Sequence, residues 1–438
     1  MANALGLPEF NIDKALEDES GRSIMYEVSR VSPPSTCPSC GCMGSFYRHG
    51  SNDRLVQDIP SLGKLVYLKI KVIRYKCRDC GATFYEDFDS IDGKERLTAR
   101  FRAHIKERSL KDTFSRIAND YSLSVNTIRD IFQDFVADNE KVLIYEAPEV
   151  LGIDEAHLNK VMRCVITDTK HNLLLDILPD RETDHVVKFL KRMRNAQNVK
   201  VVTMDMYAPY RLAIKKALPS AKVVVDKFHV VQLANRKMDE VRKSFMDGLS
   251  KQERSDLRYV SNLMKSNAED ISERSMNTLK EAFKKYPKLS HAYLLKERVR
   301  GFYAAKNREE AGELFLKWCN LVPDDMAPFQ TAKSTYESWS REIFNYFDYP
   351  YTNAFTEAAN NLIKKLDKEG RSLSFEQLRY KALFATKATR LPKFEPLRAT
   401  YNQSNVFMHM APIQLTPKLL QGFGVDIKVL MDTDLSSL

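Results

Sequence analysis

The fold is decided by two stretches, which read VLGIDEAHLNKVMRCVITDTKHNLLLDIL at residues 150–178 and KVVTMDMYAPYRLAIKKALPSAKVVV at residues 200–225. Short runs rich in Val, Ile and Leu alternate there with polar turns. This pattern predicts five β-strands, at residues 149–158, 161–168, 173–178, 200–204 and 222–225. Helical patterns separate the last three strands, at about 184–194 and 207–217. Strands followed by alternating helices and strands indicate a mixed α/β layer.

The regions on either side of this layer have other patterns. Residues 229–340 are helical in pattern, with breaks predicted near Pro287, Gly301 and Pro323. Ahead of the layer, residues 66–73 alternate as a strand and residues 95–136 are helical in pattern. The 438 residues are enough for roughly three folding units.

The composition favours an anionic partner. Lys and Arg number 68 against 58 Asp and Glu, a net charge of +10. Residues 181–305 alone hold 27 basic and 14 acidic side chains. Nucleic acid is the commonest anionic partner of soluble proteins. No apolar run approaches 18 residues and the acidic start lacks the pattern of a signal peptide, so we expect no membrane span and a cytoplasmic protein.

Four of the seven cysteines form two C-x-x-C pairs, at Cys37, Cys40, Cys77 and Cys80. A two-residue gap places both sulfurs on one side of a tight knuckle, and two knuckles can hold structural Zn²⁺ tetrahedrally. The alternatives are a redox dithiol or two unrelated reduced pairs, and Cys42 or His49 could replace one ligand. The strand between the pairs carries basic residues that we expect to face phosphate, among them Lys69, Lys71 and Arg74.

Residues 113–132, which read TFSRIANDYSLSVNTIRDIF, have the spacing of a helix-turn-helix. Phe114, Ile117 and Ala118 form one apolar face, and Ser124 is a favourable N-cap for the second helix. The residues expected to reach base edges or phosphates in a major groove are Ser124, Asn126, Thr127, Arg129 and Gln133. Any two packed helices could give this pattern, so its interpretation as a DNA-binding element depends on the adjacent zinc ribbon.

Three acidic residues are candidates for a metal-dependent active site. Asp154 and Asp205 lie at or near the ends of predicted strands, and Glu357 lies in a helical pattern with Asn360 and Lys364 on the same face. Three carboxylates on rigid elements could hold two Mg²⁺ or Mn²⁺ ions for in-line displacement at phosphorus. Taken singly, each acid could instead be a surface residue or a helix cap.

Together these parts resemble the bacterial insertion-sequence DDE transposases of the ISL-three family, from about residue 37 to residue 390. The resemblance is carried by the C-x-x-C pairs, GIDE at 152–155, DMYAPY at 205–210, DKFHV at 226–230, Trp339, and TNAFTE at 352–357 with NLIK at 361–364. It implies an α/β multidomain protein. A ribonuclease-H-like mixed-sheet catalytic core, interrupted by an all-α insertion, would follow a zinc ribbon and a helix-turn-helix.

The resemblance also implies roles for individual residues. The catalytic triad that holds the Mg²⁺ ions would be Asp154, Asp205 and Glu357. Asp226 and His229 would be accessory residues at the flanking strand or scissile phosphate, although Asp226 could simply cap a helix. Trp339 could stack on an unpaired base at the transposon end, and core packing is the alternative.

The expected domains follow from these assignments. They are an N-terminal segment (1–30) without recognisable chemistry, a zinc ribbon (31–90), a helix-turn-helix (91–140), the first part of the core (146–228), a helical insertion (229–340), the second part of the core with the catalytic Glu (341–390) and a C-terminal segment (391–438). Two departures from the family pattern stand out. Ala354 and Ala358 occupy positions that usually hold glycine, and the basic-Gly-His ending of the first block is absent.

The sequence therefore predicts an insertion-sequence transposase. It would bind terminal inverted repeats and catalyse Mg²⁺-dependent cleavage and strand transfer into target DNA, associating with the nucleoid when bound. A homodimer would bring the two ends together. The alternatives are a catalytically inert, domesticated DNA-binding regulator and a nuclease without strand transfer.

Overall fold

The computed structural model describes residues 5–91, 96–141, 143–370 and 373–389. The chain divides into two compact units, Met1–Lys141 and Val142–Leu438. The predicted C-terminal segment 391–438 lies outside the described residues.

The first unit is built on a five-stranded sheet. Its strands are β1 (Phe10–Glu17), β2 (Ser23–Arg30), β3 (Phe46–Ser61), β4 (Lys64–Cys77) and β5 (Thr83–Tyr85). The order is β1-β2-β4-β3, with β5 also paired to β4, and only β2 and β4 run parallel. The strand predicted at 66–73 is confirmed within β4. The hairpin β1–β2 belongs to the same sheet, but β1 buries only Phe10 fully, so its sequence carries little alternation.

Three helices complete the first unit: α1 (Ala99–Lys111), α2 (Phe114–Tyr121) and α3 (Val125–Glu140). Ser122 adopts the left-handed conformation between α2 and α3, with φ 53°. The Ser124 hydroxyl then caps α3 by accepting from the Thr127 N–H at 3.0 Å, as the sequence predicts. The predicted apolar face of Phe114, Ile117 and Ala118 is buried.

The second unit contains a mixed five-stranded sheet in the order β10-β9-β6-β7-β8. The strands are β6 (Val150–Leu158), β7 (Val161–Asp168), β8 (Leu173–Ile177), β9 (Val201–Met204) and β10 (Lys222–Val225). β6, β9 and β10 are parallel, whereas β7 is antiparallel to both β6 and β8. All five strands predicted from the sequence are confirmed, with bounds that differ by at most one residue.

Helices pack on both faces of this sheet. α4 (Thr183–Arg192) and α5 (Ala208–Ala217) share a hydrophobic core with the side of β6 that carries Leu151 and Ile153. α12 (Ala354–Gly370) lies on the opposite side of β6, followed by α13 (Phe375–Thr389). Alternate residues of a strand point to opposite faces, so Gly152 and Asp154 face α12.

The region predicted as helical is confirmed as six helices. They are α6 (Lys227–Lys243), α7 (Lys251–Lys265), α8 (Glu273–Lys285), α9 (Pro287–Phe302), α10 (Arg308–Leu321) and α11 (Ala327–Phe344). Pro287 begins α9 and Pro323 lies between α10 and α11, as predicted. Gly301 lies in the last turn of α9, so the break there comes one residue later than expected. Within the described residues, no helix is both long and apolar enough to cross a membrane.

Candidate active site and cysteine cluster

Gly152 allows α12 to approach the sheet closely. A Cβ atom at this position would lie 2.6 Å from Thr169 Cγ2 and closer still to the hydroxyls of Thr167 and Thr356. Thr356 belongs to the first turn of α12, and its hydroxyl oxygen lies 2.7 Å from that of Thr167 on β7. The glycine of the 152–155 block is therefore required by helix–sheet packing.

Asn353 fixes the start of α12 on the sheet. Its buried amide donates to the Ile153 carbonyl at 3.1 Å, and its side-chain oxygen accepts from the hydroxyls of Thr203 (3.2 Å) and Thr356 (2.6 Å). These bonds link α12 to β6 and β9. Breaking a buried network leaves unsatisfied polar groups, so the network holds the helix in one register.

Asn360 connects the helix that carries Glu357 to Asp154. Its amide donates to Asp154 Oδ2 at 3.0 Å and to the Glu155 carbonyl at 3.3 Å. Glu357 lies one turn earlier on the same face of α12 and is exposed. Lys364 lies one turn later and is also exposed. The helix predicted over these residues is confirmed, and α12 begins at Ala354, so alanine at 354 and 358 fits the backbone.

The register of the parallel strands places three aspartates side by side. Gly152 pairs with Thr203, so Asp154 lies level with Asp205, two positions further along each strand. Asp226 directly follows Val225, the partner of Met204, and is level with Asp205 in turn. Neighbouring strands lie about 4.8 Å apart. The three carboxyl groups therefore form a row across β6, β9 and β10.

Burial raises the pKa of each carboxyl group in this row. The pKa of Asp205 rises to about 6, because it is buried and because Asp154 and Glu155 are negatively charged. Burial also raises the pKa of Asp154 and of Asp226, while the positive charge of His229 opposes the shift at all three. Crowded, buried carboxyl groups of this kind favour a bound cation or a retained proton.

Two oxygen atoms in this cluster have no hydrogen-bond partner among the described residues. They are Asp205 Oδ1 and Asn360 Oδ1, and both are buried. Carboxylate and amide oxygens are ligands that Mg²⁺ accepts. The residues present therefore fit a divalent cation.

Asp226 and His229 lie where β10 gives way to α6. The Asp226 carboxylate caps α6 by accepting from the Phe228 N–H at 3.4 Å, as the helix-cap alternative predicts. His229, in the first turn of α6, is half-buried and close enough to affect the pKa of all three aspartates. Both residues are therefore part of the carboxylate cluster, whatever their role in catalysis.

The sequence does not single out the ion pair beside Asp205. Arg181 Nη1 lies 2.6 Å from Glu155 Oε2, and the guanidinium carbon lies 4.9 Å from the centre of the Tyr207 ring. Arg181 lowers the pKa of Asp205, whereas Glu155 raises it. Glu155 belongs to the GIDE motif at residues 152–155. Arg181 lies in a turn after β8 that carries no motif, so only the folded chain brings Arg181 to the site.

Five cysteines gather in the first unit. The sulfur atoms of Cys37, Cys40, Cys42 and Cys77 all lie within 4.8 Å of one another. Cys80 Sγ lies 3.8 Å from Cys37 Sγ and completes the group. The four cysteines predicted as ligands are therefore brought together. Cys42, which the sequence ranks behind them, joins the cluster, and its Sγ lies 3.3 Å from that of Cys77.

The backbone explains why each C-x-x-C pair is followed by glycine. Gly41 and Gly81 have φ of +73° and +72°, a region that other residues rarely adopt. Their N–H groups donate to the carbonyls of Cys37 (2.8 Å) and Cys77 (3.2 Å), which closes each knuckle. The Cys80 backbone N–H lowers the pKa of Cys77 to about 6 and so favours the thiolate that binds metal.

The predicted DNA-contacting residues of α3 differ in exposure. Ser124, Asn126 and Gln133 are exposed, whereas Thr127 and Arg129 are half-buried. Arg129 donates to Asn126 Oδ1 at 3.0 Å, so these two side chains hold each other in place.

The basic residues of β4 are partly engaged within the sheet. Lys69 Nζ lies 3.1 Å from Glu27 Oε1 and 3.7 Å from Asp53 Oδ2, so neighbouring strands already balance its charge. Arg74 donates to the Thr83 hydroxyl at 3.0 Å. Lys71 is exposed. Lys69 is therefore less available to phosphate than the sequence alone indicates.

Of the two roles considered for Trp339, its surroundings favour core packing. It is only 4% exposed, and the Arg211 guanidinium covers its ring at 3.9 Å. A base could not stack on this ring without displacing Arg211.

Comparison with known proteins matches both the second unit and the cysteine region to known families. Residues 151–382 match the ISL3-type DDE family described as transposase, and residues 33–80 match the family described as the zinc-finger of transposase IS204/IS1001/IS1096/IS1165. These matches define the class as insertion-sequence transposases with a zinc ribbon. The chain belongs to the ISL3 family of these enzymes.

One curated relative is similar over most of the chain. It is the transposase for insertion sequence element IS1001 of Bordetella parapertussis, which is 22% identical over 360 residues. The matched region covers 80% of this chain and 88% of the relative.

Proposed function

We propose that the second unit is a ribonuclease-H-like core that cleaves the ends of its insertion sequence and joins them to target DNA, with Asp154, Asp205 and Glu357 as catalytic residues. The observation that carries the proposal is the hydrogen bond from Asn360 to Asp154. It joins β6, which carries Asp154, to the helix that carries Glu357. The chain returns to the sheet there after a long helical segment, since Glu357 lies 152 positions after Asp205. The topology of the second sheet supports the same assignment. β7 is antiparallel to both β6 and β8, and the later strands β9 and β10 run parallel to β6.

The carboxylates of Asp154, Asp205 and Glu357 would hold Mg²⁺ or Mn²⁺. Bound there, the metal ions would activate water or a 3′-hydroxyl and stabilise the leaving oxygen at phosphorus. Exposed Glu357 and half-buried Asp205 give this site access to solvent, which a DNA substrate needs. The buried acceptor atoms of Asp205 and Asn360 support cation binding on this side of the sheet.

Neighbouring residues would hold the carboxylates in position. Asn360 orients Asp154 through its amide, and Asp226 fixes the start of α6 so that His229 remains beside the row. His229 would contact the flanking strand or the scissile phosphate. Lys364, exposed on the same face of α12 as Glu357, would contact a phosphate further along the DNA.

The first unit would recognise the terminal inverted repeats. Cys37, Cys40, Cys77 and Cys80 would hold structural Zn²⁺, with Cys42 as the alternative ligand. In a helix-turn-helix, α3 would enter the major groove and present Ser124, Asn126, Thr127, Arg129 and Gln133, while Lys71 and Arg74 contact the backbone. Two ends must be joined, so the complex on DNA would be a homodimer.

Three single substitutions test this assignment. We expect Asp154→Asn, Asp205→Asn and Glu357→Gln each to reduce Mg²⁺-dependent cleavage of an end-bearing duplex at least 1,000-fold, on the order expected for loss of a metal ligand. Binding of the same duplex should change little. Glu369→Gln is the matched control, because Glu369 is an exposed acid on α12 away from the cluster.

The outcomes separate the candidate functions. Cleavage at the wild-type rate by any of the three variants would refute that residue's assignment. A wild-type protein that binds ends but never cleaves them would instead be a DNA-binding regulator. Nicked ends without joined products would indicate a nuclease.

A further inference from the structure

An open groove runs along α6 from Phe228, which lies two residues after Asp226 of the carboxylate cluster. It has a volume of about 490 Å³, and its lining includes Phe228, Asn235, Arg236, Lys243 and, from α7, Lys265. The lining positions 228, 232, 235, 239 and 243 recur every three or four residues and therefore form one face of the helix. This face extends for about 22 Å.

Phe228 stands at the end of the groove nearest the cluster. Its side chain is 46% exposed, although it lies between the helix cap Asp226 and His229. The centre of its ring lies 5.5 Å from that of His229. The exposed part of this ring is accessible to a ligand beside the cluster.

The groove offers unbalanced positive charge. The Asp239 carboxylate is already engaged by Arg242 (2.8 Å) and Lys243 (3.0 Å), and Glu240 is paired with Lys237. Arg236 and Lys265, by contrast, have no carboxylate partner in the part of the chain that the structure describes.

The floor of the groove adds an unused acceptor. Asn235 Oδ1 is buried and has no partner among the described residues. Apart from Phe228 and Val231, the lining residues are polar or charged. An exposed aromatic ring at the head of a basic groove is the arrangement by which proteins hold single-stranded nucleic acid.

We propose that this groove binds an unpaired stretch of DNA next to the scissile phosphate. Phe228 stacks on a base, and Arg236 and Lys265 contact phosphates further along the strand. The proposal rests on the function proposed above, because it needs the cleavage site to lie at the carboxylate cluster. It adds a nucleotide-binding position that keeps the end of the element open beside the acids.

A binding experiment on the full-length, zinc-loaded protein tests this groove. An end duplex with a three-nucleotide single-stranded extension at the cleavage position is compared with the blunt duplex by fluorescence anisotropy, with Ca²⁺ in place of Mg²⁺. We expect the wild type to bind the extended duplex about tenfold more tightly, the size of one stacking contact. In Phe228→Ala this preference should fall below about twofold, and in Phe228→Trp it should be retained.

Two further comparisons separate stacking from general effects. Tyr259→Ala is the matched control, because Tyr259 is an aromatic residue of α7 that is 57% exposed and does not line the groove; it should keep the full preference. Arg236→Ala should weaken binding of the extended duplex and reduce its salt dependence by about one ion. Replacing the extension's bases by abasic sugars should abolish the preference in the wild type and change nothing in Phe228→Ala.

The proposal is overturned if Phe228→Ala keeps the tenfold preference, if abasic extensions bind as tightly as normal ones, or if the wild type shows no preference. Because no cleavage is measured, these results are independent of the catalytic test. If the Asp154, Asp205 and Glu357 variants still cleaved DNA at the wild-type rate, the active-site assignment would be refuted. The binding result for the groove could still be interpreted in that case.

Discussion

The cysteine cluster and the carboxylate cluster are assembled in opposite ways. Each cysteine knuckle is closed by a local hydrogen bond and a left-handed glycine, and all five sulfurs come from two short segments, residues 37–42 and 77–80. The three aspartates come from β6 and from the ends of β9 and β10, where the sheet register aligns them, and the Asn353 network holds α12, which carries Glu357, on β6. The first site is a property of local sequence, and the second is a property of the whole fold.

This difference has an energetic counterpart. The first cluster gains stability from the ion it binds, because a structural zinc site contributes directly to folding. The second contains buried like charges whose pKa values are raised, so it costs stability in the metal-free protein. The predictions below test this contrast.

The largest effect is expected from Gly152→Ala. The added methyl group would collide with Thr167, Thr169 and Thr356 and push α12 away from β6. Overpacking of this kind costs about 1–3 kcal/mol in stability, and a misplaced catalytic group costs about 100-fold in rate. We expect cleavage of an end duplex to fall at least 100-fold.

Gly312→Ala is the control for that variant. Gly312 lies within α10, and a Cβ there would meet nothing within 4 Å, so we expect unchanged cleavage and a slight gain in helix stability. Normal cleavage by Gly152→Ala would show that the close approach of α12 is not needed for catalysis.

Removal of zinc should affect the first unit and spare the second. We expect chelation, or Cys37→Ser with Cys77→Ser, to increase amide hydrogen exchange throughout β3, β4 and the knuckles, and to weaken end binding at least tenfold. Strands β6 to β10 should keep their protection. Elemental analysis that finds no zinc in the native protein, or uniform loss of protection in both units, would contradict this prediction.

The Asp205 carboxyl group should destabilise the metal-free protein at neutral pH. Its folded pKa of about 6 lies above the ordinary value for aspartate, so folding is favoured while the group is protonated and loses stability as pH rises from about 4 to 6. The loss is at most about 3 kcal/mol. Asp205→Asn should therefore melt higher than the wild type in EDTA at pH 7.5, by a margin that shrinks at pH 4.5.

Exposed Asp324 provides the comparison, and Asp324→Asn should leave the melting temperature unchanged. If Asp205→Asn melted lower than the wild type in EDTA at pH 7.5, the carboxylate would be stabilising and the cluster would not be strained. Adding Mg²⁺ should raise the melting temperature of the wild type more than that of the variant.

The smallest effect concerns the fifth cysteine. If Cys80 is the fourth ligand, Cys42→Ser should bind one zinc per chain with nearly wild-type affinity, whereas Cys80→Ser should lose zinc to a chelator more readily. The reverse result would make Cys42 the ligand. Competition with a colorimetric zinc indicator measures both variants, with Cys319→Ser, a cysteine of the second unit, as control.

Local patterns in the sequence were sufficient for much of this structure. The apolar runs predicted all five strands of the second sheet, the paired cysteines predicted their own cluster, and Ser124 predicted the start of α3. The strands, each cysteine pair and the helix start depend on residues within a few positions of one another. The β1–β2 hairpin was harder to predict, because most of its side chains are exposed and carry little periodic signal.

Contacts between residues far apart in the chain could not be predicted from the sequence. Thr167 and Thr356, which both pack over Gly152, are 189 positions apart, and Arg181 reaches Glu155 only after β7 and β8 have turned back. Trp339 is a related case. The sequence left both base stacking and core packing open for it, and its burial beneath Arg211 could be seen only in the folded chain.

The helical excursion α6–α11 leaves and rejoins the same strand. It departs from Asp226, immediately after β10, and on its return the Asn345 amide donates to the Val223 carbonyl of β10 at 2.7 Å. Its buried residues around Trp318 and Tyr336 belong to the same hydrophobic core as Leu151 and Val202 of the sheet. A chain anchored in this way can gain or lose helices far from the acids while its two attachment points stay fixed. Relatives could therefore differ widely in the length of this segment and still keep the same spacing between their carboxylates.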